Sequence, residues 1–314
     1  MANGEWRVDY LHTRHSQNIM SEYKPYQKIM VIVNPSAGKD EPILNIINDL
    51  FTAYKIDWDV AITHKAGDAT RLAKEAIAAG YDLVAGYGGD GTQMEIANGM
   101  LGSDVPMAIL PGGTGNAMAF ELKVSRDLHE AVRLICTSPK TKAVDIVEAN
   151  GRYFMLRLYS GVEENQKTSR GMKDRYGVMA YPMSVLSMTR DLNKANYRLT
   201  IDGELIEEDG VACFVINAGS LGGVALSYNL NMTATDGVLD VFMLDTSVST
   251  LRSATSRFLD LNTKQAGLHY WRGKEIIMEA DPPQTIWVDG ELLGQTPVTI
   301  KVLPAAIKIV IPQY

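Results

Sequence analysis

Three glycine-rich stretches in the first part of the chain have the composition of phosphate-binding turns. They are Asn34-Pro35-Ser36-Ala37-Gly38-Lys39, Gly86-Tyr87-Gly88-Gly89-Asp90-Gly91-Thr92 and Pro111-Gly112-Gly113-Thr114-Gly115-Asn116. Glycine lets backbone N–H groups approach an anion closely, and the helix N-terminus that follows such a turn favours a phosphate group. The second stretch also carries Asp90, whose carboxylate would repel a pyrophosphate unless a cation lay between them. The three stretches therefore predict a nucleotide site for metal-assisted phosphoryl chemistry.

Other interpretations of the second stretch are weaker. Alone, it fits the G-x-G-x-x-G pattern of dinucleotide-binding folds, which is expected in the opening strand–helix unit with an acidic residue about 20 positions later. Here the pattern follows a later strand, and the next strand ends at Pro111. A Walker A motif is excluded because Gly38-Lys39 lacks the upstream glycine and the following Ser or Thr. Plain tight turns remain the alternative for any one stretch alone.

Each stretch follows a short apolar run, and these runs alternate with helical patterns. The predicted strands span 28–33, 58–63, 81–86 and 105–110, and the predicted helices span 43–54, 69–79 and 92–100. Asp68 is the predicted N-cap of the second helix, and Gly80 is placed to end it. Repeated strand–helix–strand units predict a parallel sheet covered by helices, with the three stretches gathered at the carboxyl ends of its strands.

From about residue 142 the pattern changes to closely spaced strand candidates separated by turn signals. The strand candidates span 197–201, 211–217, 238–244, 285–288 and 298–302, with one helix predicted at 176–190. This pattern predicts an antiparallel β domain. The predicted organisation is an N-terminal extension (1–27), an α/β domain (28–141) and a β-rich substrate domain (142–314), whose last strand could return to the α/β domain.

Composition and charge exclude several classes of protein. The chain has 314 residues and a net charge of −7 without a basic run, so no nucleic-acid partner is expected. Cys136 and Cys213 lie in apolar stretches, which predicts buried free thiols. No run approaches the ~20 apolar residues of a membrane span, so we predict a cytoplasmic protein that contacts the inner membrane face peripherally. A homodimer is left open.

In this order, the motifs resemble the diacylglycerol kinase catalytic domain, which bacterial diacylglycerol and lipid kinases share with sphingosine and ceramide kinases. The similarity covers nearly the whole chain from Lys28 onward. Its residues are the three stretches with Thr63, Gly67-Asp68-Ala69, Glu95, Asn98-Gly99, Asp145, Asn150-Gly151-Arg152-Tyr153-Phe154, Asp236-Gly237-Val238-Leu239-Asp240 and Asp289-Gly290-Glu291. The resemblance implies an α/β nucleotide-binding domain with a parallel sheet, a C-terminal antiparallel β-sandwich-like domain and an active-site cleft between them.

The resemblance also implies roles for individual residues. ATP would be bound by Asn34, Pro35, Ser36, Gly38, Lys39, Thr63, Gly88, Gly89, Asp90, Gly91, Thr92, Gly113, Thr114, Gly115 and Asn116. Asp236, with the backbone of Thr233 and Val238, would hold a structural magnesium ion. Glu291 would be the general base and Asp90 would act in catalysis. The implied cofactors are ATP and Mg²⁺, and the implied substrate is a lipid hydroxyl at a membrane surface.

Several of these positions also have a structural interpretation. Asp236-Gly237 and Asp289-Gly290 are common hairpin turns. Asp145 lies between two apolar residues, and a carboxylate buried there would be costly unless it were paired. The resemblance instead assigns Asp145 to a carboxylate network that supports catalytic magnesium. Each of these residues therefore has two interpretations that the sequence leaves open.

The third stretch departs from the bacterial diacylglycerol kinase pattern. Those enzymes usually have Asp after the Asn, whereas Asn116 is followed by Ala117-Met118-Ala119, which looks more like the sphingosine and ceramide kinase branch. The lipid is therefore left open between a diacylglycerol-like and a sphingoid-like molecule.

There are two alternatives to a lipid kinase. The first is an NAD kinase, but that family has a different segment after its GGDGT. The second is a non-catalytic nucleotide-sensing regulator, which would require loss of the base, and Glu291 is present.

Two further groups of residues have either a lipid-binding role or a purely structural one, and the sequence leaves the choice open. An apolar stripe would line an acyl-chain cleft or belong to the core; it consists of Tyr181, Met183, Val185, Leu186 and Met188. A basic segment would meet anionic lipid headgroups or lie in a solvated loop; its residues are Lys167, Arg170, Lys173 and Arg175.

Overall fold

The computed structural model describes residues 25–37, 40–161, 194–218, 232–245 and 268–313. In these ranges strands and helices alternate up to residue 137, and only strands follow from residue 141 onward. Residues 1–24 of the predicted extension, the predicted helix at 176–190, the apolar stripe and the basic segment all lie outside the described residues, as do Gly38 and Lys39.

The first part of the chain contains a parallel sheet with helices. Its strands are β1 (Lys28–Val33), β2 (Asp57–Ile62), β3 (Leu83–Gly88) and β4 (Met107–Pro111), in the order β4-β3-β1-β2. Its helices are α1 (Ile43–Ala53), α2 (Asp68–Ala78), α3 (Asp90–Met100), α4 (Ala117–Glu121) and α5 (Leu128–Thr137). Strands β3 and β4 are buried along their whole length, as expected for central strands covered on both faces.

The start of α2 differs from the prediction. The N-cap is Gly67, which has a left-handed φ of 85°, and Asp68 is already helical. The Asp68 carboxylate accepts hydrogen bonds from the N–H groups of His64 and Lys65, at 2.9 and 3.1 Å, instead of capping its own helix. It therefore tightens the turn before α2. Gly80 follows the helix with a φ of 75°, as predicted.

The second part of the chain is built from antiparallel strands. They are β5 (Thr141–Ala149), β6 (Arg152–Phe154), β7 (Arg157–Ser160), β8 (Ala195–Ile201), β9 (Glu204–Ile216), β10 (Leu239–Asp245), β11 (Leu268–Gly273), β12 (Glu275–Asp281), β13 (Thr285–Val288), β14 (Glu291–Gln295) and β15 (Val298–Val310). Strand β15 runs antiparallel to β5 and β12, and its Ile309 pairs in parallel with Met107 of β4. One long strand thus joins the two parts of the chain.

The β part has apolar side chains on both faces of its sheet. Along β9, Cys213 and Val215 belong to one hydrophobic cluster, and Phe214 and Ile216 belong to the other. This arrangement follows from the period of two in a strand, because neighbouring side chains point to opposite faces. Cys213 is buried, as predicted, and burial raises the pKa of its thiol to about 12. It is therefore an unreactive core residue.

Candidate active site

The glycine-rich loops after β1, β3 and β4 lie against one another. The N–H of Asn34 donates to the carbonyl of Tyr87 at 2.9 Å, and the N–H of Gly112 donates to the carbonyl of Gly88 at 3.0 Å. The backbones of Gly89 and Gly113 touch, because a Cβ atom at Gly113 would lie 2.5 Å from the Cα of Gly89. A side chain at position 113 would therefore push the second and third loops apart.

We expect Gly113→Ala to destabilise the fold by about 1–3 kcal/mol, since a methyl group there meets backbone that cannot move aside. Gly91→Ala is the matched control, because a Cβ atom at Gly91 meets no atom within 4 Å. Denaturant unfolding of both variants measures the difference. Equal stability of the two variants would contradict the close packing of the loops.

Asn34 joins the first loop to the second. Its amide Nδ2 donates to the hydroxyl of Thr92 at 2.8 Å, and its Oδ1 accepts from the N–H of Ser36 at 2.9 Å. One side chain therefore orders its own turn, which includes Pro35, and holds it beside the N-terminus of α3.

A cleft of about 510 Å³ opens over these loops, a size that suits a small-molecule ligand. Nine of the predicted site residues line it: Asn34, Ser36, Thr63, Gly89, Gly91, Thr92, Gly113, Thr114 and Glu291. Ala37 of the first glycine-rich stretch also lines it, and five lining residues had no predicted binding role: His64, Lys65, Ala66, Ala69 and Glu95. The predicted residues Pro35, Gly88, Asp90, Gly115 and Asn116 belong to the same loops but do not line the cleft.

Glu95 connects two helices at the wall of the cleft. Its carboxylate accepts hydrogen bonds from the N–H groups of Gly67 and Ala69, at 3.0 and 3.1 Å. These groups belong to the N-terminal turn of α2, where unpaired N–H groups attract a negative charge. Glu95 is among the residues that carry the family resemblance, although no role was assigned to it, and its position three residues after Thr92 places both side chains on one face of α3.

The Asp90 carboxylate faces the third loop. Its Oδ1 lies 3.4 Å from the N–H of Met118, at the start of α4. Burial raises the pKa of Asp90, while the N–H groups of residues 116–118 and the charge of Arg157 act in the opposite direction. These contacts give Asp90 a part in ordering the third loop, and its predicted role toward magnesium stays a prediction.

Asn116 closes the third loop on itself. It has a left-handed φ of 51° and is buried, and its Oδ1 accepts from the N–H of Gly113 at 3.0 Å. Its Nδ2 donates to the carbonyl of the same glycine. Asn tolerates this backbone conformation better than most residues. Asn116 therefore shapes the loop from behind the cleft.

The predicted hairpin turn before Glu291 is present. Asp289 and Gly290 have φ values of 48° and 89°, and Val288 pairs with Glu291 across the turn. Positive φ at both central residues defines the type I′ turn that Asp-Gly favours. The structural interpretation of Asp289-Gly290 is therefore correct, and the same turn brings Glu291 to the cleft.

The Asp289 carboxylate fastens this turn to the segment between β6 and β7. It accepts hydrogen bonds from three consecutive N–H groups, those of Met155, Leu156 and Arg157, at 3.1, 3.2 and 2.8 Å. Burial raises the pKa of Asp289 to about 6, although these three N–H groups and the charge of Arg157 lower it. The hairpin that carries Glu291 is thus held in place through main-chain contacts.

Arg152 of β6 holds the Glu291 side chain from the other side. Its Nη2 donates to Oε2 of Glu291, and its Nη1 donates to the carbonyl of Leu292 at 3.2 Å. The Glu291 side chain is 70% exposed, so an incoming substrate can reach it. The sequence carried no signal for this ion pair, because 139 positions separate the two residues.

Asp145 is buried inside β5 and fully engaged by the backbone. Its Oδ2 accepts from the N–H of Gly237 at 2.7 Å, and its Oδ1 accepts from the N–H of Ala305 at 2.8 Å. These two hydrogen bonds offset the cost of burying a carboxylate. They also connect β15 to the turn at Asp236-Gly237, which we call the Asp236 turn. Asp145 supports the scaffold and does not line the cleft.

The Asp236 turn holds an arginine where magnesium was expected. Oδ2 of Asp236 accepts from Nη2 of Arg272, and Oδ1 accepts from the N–H of Val238 at 3.2 Å. The hydroxyl of Thr233 is hydrogen-bonded to that of Thr235. Two unit positive charges about 4 Å apart repel each other by about 4 kcal/mol at an effective dielectric constant of about 20, and magnesium carries two charges. The Asp236 carboxylate therefore does not fit a magnesium ion while Arg272 occupies it.

The fold and the glycine-rich loops match the arrangement expected from the resemblance to diacylglycerol kinases. Residues 28–149 match the family described as the diacylglycerol kinase catalytic domain, and residues 157–311 match the family described as the YegS C-terminal NAD kinase beta sandwich-like domain. The chain therefore contains a diacylglycerol kinase catalytic domain followed by a YegS-type C-terminal domain, which confirms the resemblance and the fold class predicted from the sequence.

Similar proteins are found in Staphylococcus and Bacillus. "Putative lipid kinase SH2167" of Staphylococcus haemolyticus is 29% identical over 246 residues, which cover 76% of this chain and 79% of that protein. A structure described as a "putative diacylglycerol kinase" from Bacillus anthracis has a TM-score of 0.80 and 28% identity, covering 92% of this chain and 98% of its own. A second Bacillus anthracis diacylglycerol kinase structure has a TM-score of 0.72 and 27% identity, covering 91% and 97%.

In the part of the chain that the structure describes, no helix has the length and apolar character needed to cross a bilayer.

Proposed function

We propose that this protein transfers the γ-phosphate of ATP to the hydroxyl group of a diacylglycerol-like or sphingoid-like lipid. The observation that carries this proposal is the position of Glu291, which comes from β14 of the second domain and lines the same cleft as the three glycine-rich loops. The cleft therefore combines backbone N–H groups for phosphates with one reachable carboxylate, and phosphoryl transfer between two bound molecules requires both.

The loops are proposed to hold the nucleotide. The N-terminus of α3 and the glycine backbones of the second and third loops would bind the phosphates. Lys65 lines the cleft and adds a positive charge among the described residues. Asp90 is the acidic residue within the loops that would hold a magnesium ion bound with ATP, and such an ion would neutralise phosphate charge. It would be separate from the ion expected at Asp236.

Glu291 is proposed to remove the proton from the acceptor hydroxyl. Arg152 engages Oε2 and fixes the orientation of the carboxylate, and Oε1 is the oxygen that would accept the proton. A base in this position must come within hydrogen-bond distance of the hydroxyl when the lipid is bound. The anchoring of its hairpin by Asp289 keeps the carboxylate at the cleft.

Two exposed apolar side chains support a lipid as acceptor. Leu292, which is 57% exposed, directly follows Glu291, and Phe120, which is 74% exposed, lies on α4 after the third loop. Apolar groups beside a cleft can enter the headgroup region of a bilayer and bring the cleft to the lipid. A peripheral contact with the inner membrane face is part of this proposal.

We expect Phe120→Ser combined with Leu292→Ser to reduce vesicle binding and phosphorylation of vesicle-bound lipid by roughly tenfold, because less apolar area enters the bilayer. Phosphorylation of the same lipid dispersed in detergent should change much less. Leu205→Ser is the control, since Leu205 is 62% exposed on β9, outside the cleft. Vesicle cosedimentation measures binding, and an effect of Leu205→Ser as large as that of the double variant would exclude this contact.

The test of the function is transfer of label from [γ-³²P]ATP to a panel of acceptors, separated by thin-layer chromatography. The panel contains diacylglycerol, sphingoid bases, ceramide, phosphatidylglycerol, polyprenol and NAD. Label in a lipid supports the proposal and identifies the substrate class. Label only in NAD would establish the NAD kinase alternative, and nucleotide binding without transfer to any acceptor would establish the regulator.

A further inference from the structure

We infer that Arg272 supplies the positive charge that stabilises the Asp236 turn, so that this domain needs no structural magnesium ion. Arg272 lies on β11 directly opposite Asp240 on β10. Its Nε lies 3.1 Å from Oδ1 of Asp240, and its Nη2 donates to Oδ2 of Asp236. A single guanidinium group therefore bridges the carboxylate at the turn and the carboxylate on the neighbouring strand.

Asp240 explains why a permanent positive charge is needed here. It is only 3% exposed, and the hydroxyl of Tyr270 donates to its Oδ1 at 2.5 Å. A nearly buried carboxylate is costly unless it is paired, and the planar guanidinium stays charged and can bind two carboxylates at once.

The shape of the turn is also maintained without a metal ion. Asp145 binds the N–H of Gly237 through one carboxylate oxygen, and its own N–H donates to the carbonyl of Ala234 at 2.7 Å. Its second carboxylate oxygen binds Ala305 of β15. The backbone contacts of Asp145 hold the shape of the turn, and the charge of Arg272 neutralises its carboxylates. A divalent cation would supply both effects in a turn of this kind.

The first test uses the wild-type protein without nucleotide or lipid, so that it is independent of the proposed kinase activity. We expect the same melting temperature in excess EDTA and in millimolar magnesium chloride, because no ion is bound by the native state alone. A melting temperature that falls in EDTA and recovers with magnesium would overturn the inference.

The second test replaces the arginine. Arg272→Gln should lower the melting temperature by roughly 3–8 °C, and magnesium should restore part of it, because Asp236 and Asp240 are then left without a cation. Arg272→Lys should retain part of the stability. Arg198→Gln is the matched control, since Arg198 is similarly exposed and paired with Glu279 at 3.4 Å. It should change little and should not respond to magnesium.

An Arg272→Gln protein as stable as Arg198→Gln would overturn the inference. If Arg272→Gln does not fold, the comparison of wild type in EDTA and in magnesium still decides between the arginine and the ion. Calorimetric titration of magnesium into the nucleotide-free protein distinguishes the two directly. Binding would support a magnesium ion as the group that stabilises the Asp236 turn and would overturn the inference, whereas no binding would support Arg272.

Discussion

Glu291→Gln is expected to lower turnover by about 10²- to 10⁴-fold, the usual contribution of a general base. The substitution keeps the size of the side chain and a hydrogen-bonding oxygen for Arg152, but it removes the ability to accept a proton. Nucleotide affinity should therefore remain close to that of the wild type, because the loops that would hold ATP belong to the other part of the chain. Turnover on the accepted lipid and calorimetric nucleotide affinity measure the two quantities.

Glu279→Gln is the control for this substitution. Glu279 lies on β12 of the same domain and pairs with Arg198 outside the cleft, so the same change of charge should leave turnover unaltered. A large loss of nucleotide affinity with near-normal turnover at saturation in Glu291→Gln would show that Glu291 serves binding. The proposed mechanism would then be wrong.

Asp90→Asn is expected to abolish transfer, with a loss of at least about 10²-fold, the scale reported when one electrostatic group is removed from a reaction centre. The fold should remain intact, because the glycines shape the loop and an Asn oxygen can still accept the N–H of Met118. The loss arises from the negative charge that we assign to the nucleotide-bound cation. Turnover, nucleotide affinity in the presence of magnesium, and the melting temperature are measured together.

Asp104→Asn is the control, because Asp104 is exposed and pairs with Lys308 away from the cleft. Wild-type turnover in Asp90→Asn would exclude a role of its charge in the reaction. The variant Asp90→Ala serves as a reference, because it removes the side-chain oxygens altogether. If Asp90→Asn lowers the melting temperature as much as Asp90→Ala does, then Asp90 acts by ordering the third loop through its contact with the start of α4.

Local patterns in the sequence determined much of the fold. Apolar runs predicted β3 and β4 within two residues at either end, because strands covered on both faces need continuous apolar side chains. The pair Asp289-Gly290 predicted a hairpin turn, and both residues adopt the positive φ that such a turn requires. Helix α5 is absent from the sequence-based prediction, although Asp127 caps it by accepting from the N–H of Glu130 at 3.0 Å.

The sequence also determined which residues could form the site, because the glycine-rich loops follow neighbouring parallel strands and must meet at one edge of the sheet. Only the tertiary structure decided how the side chains are used. Arg152 meets Glu291 across 139 positions, and Arg272 meets Asp236 across 36. The direction of the Asp90 carboxylate depends on a helix that begins 27 residues later in the chain, at Ala117. Such pairings follow from strand register and loop packing, and no local pattern encodes them.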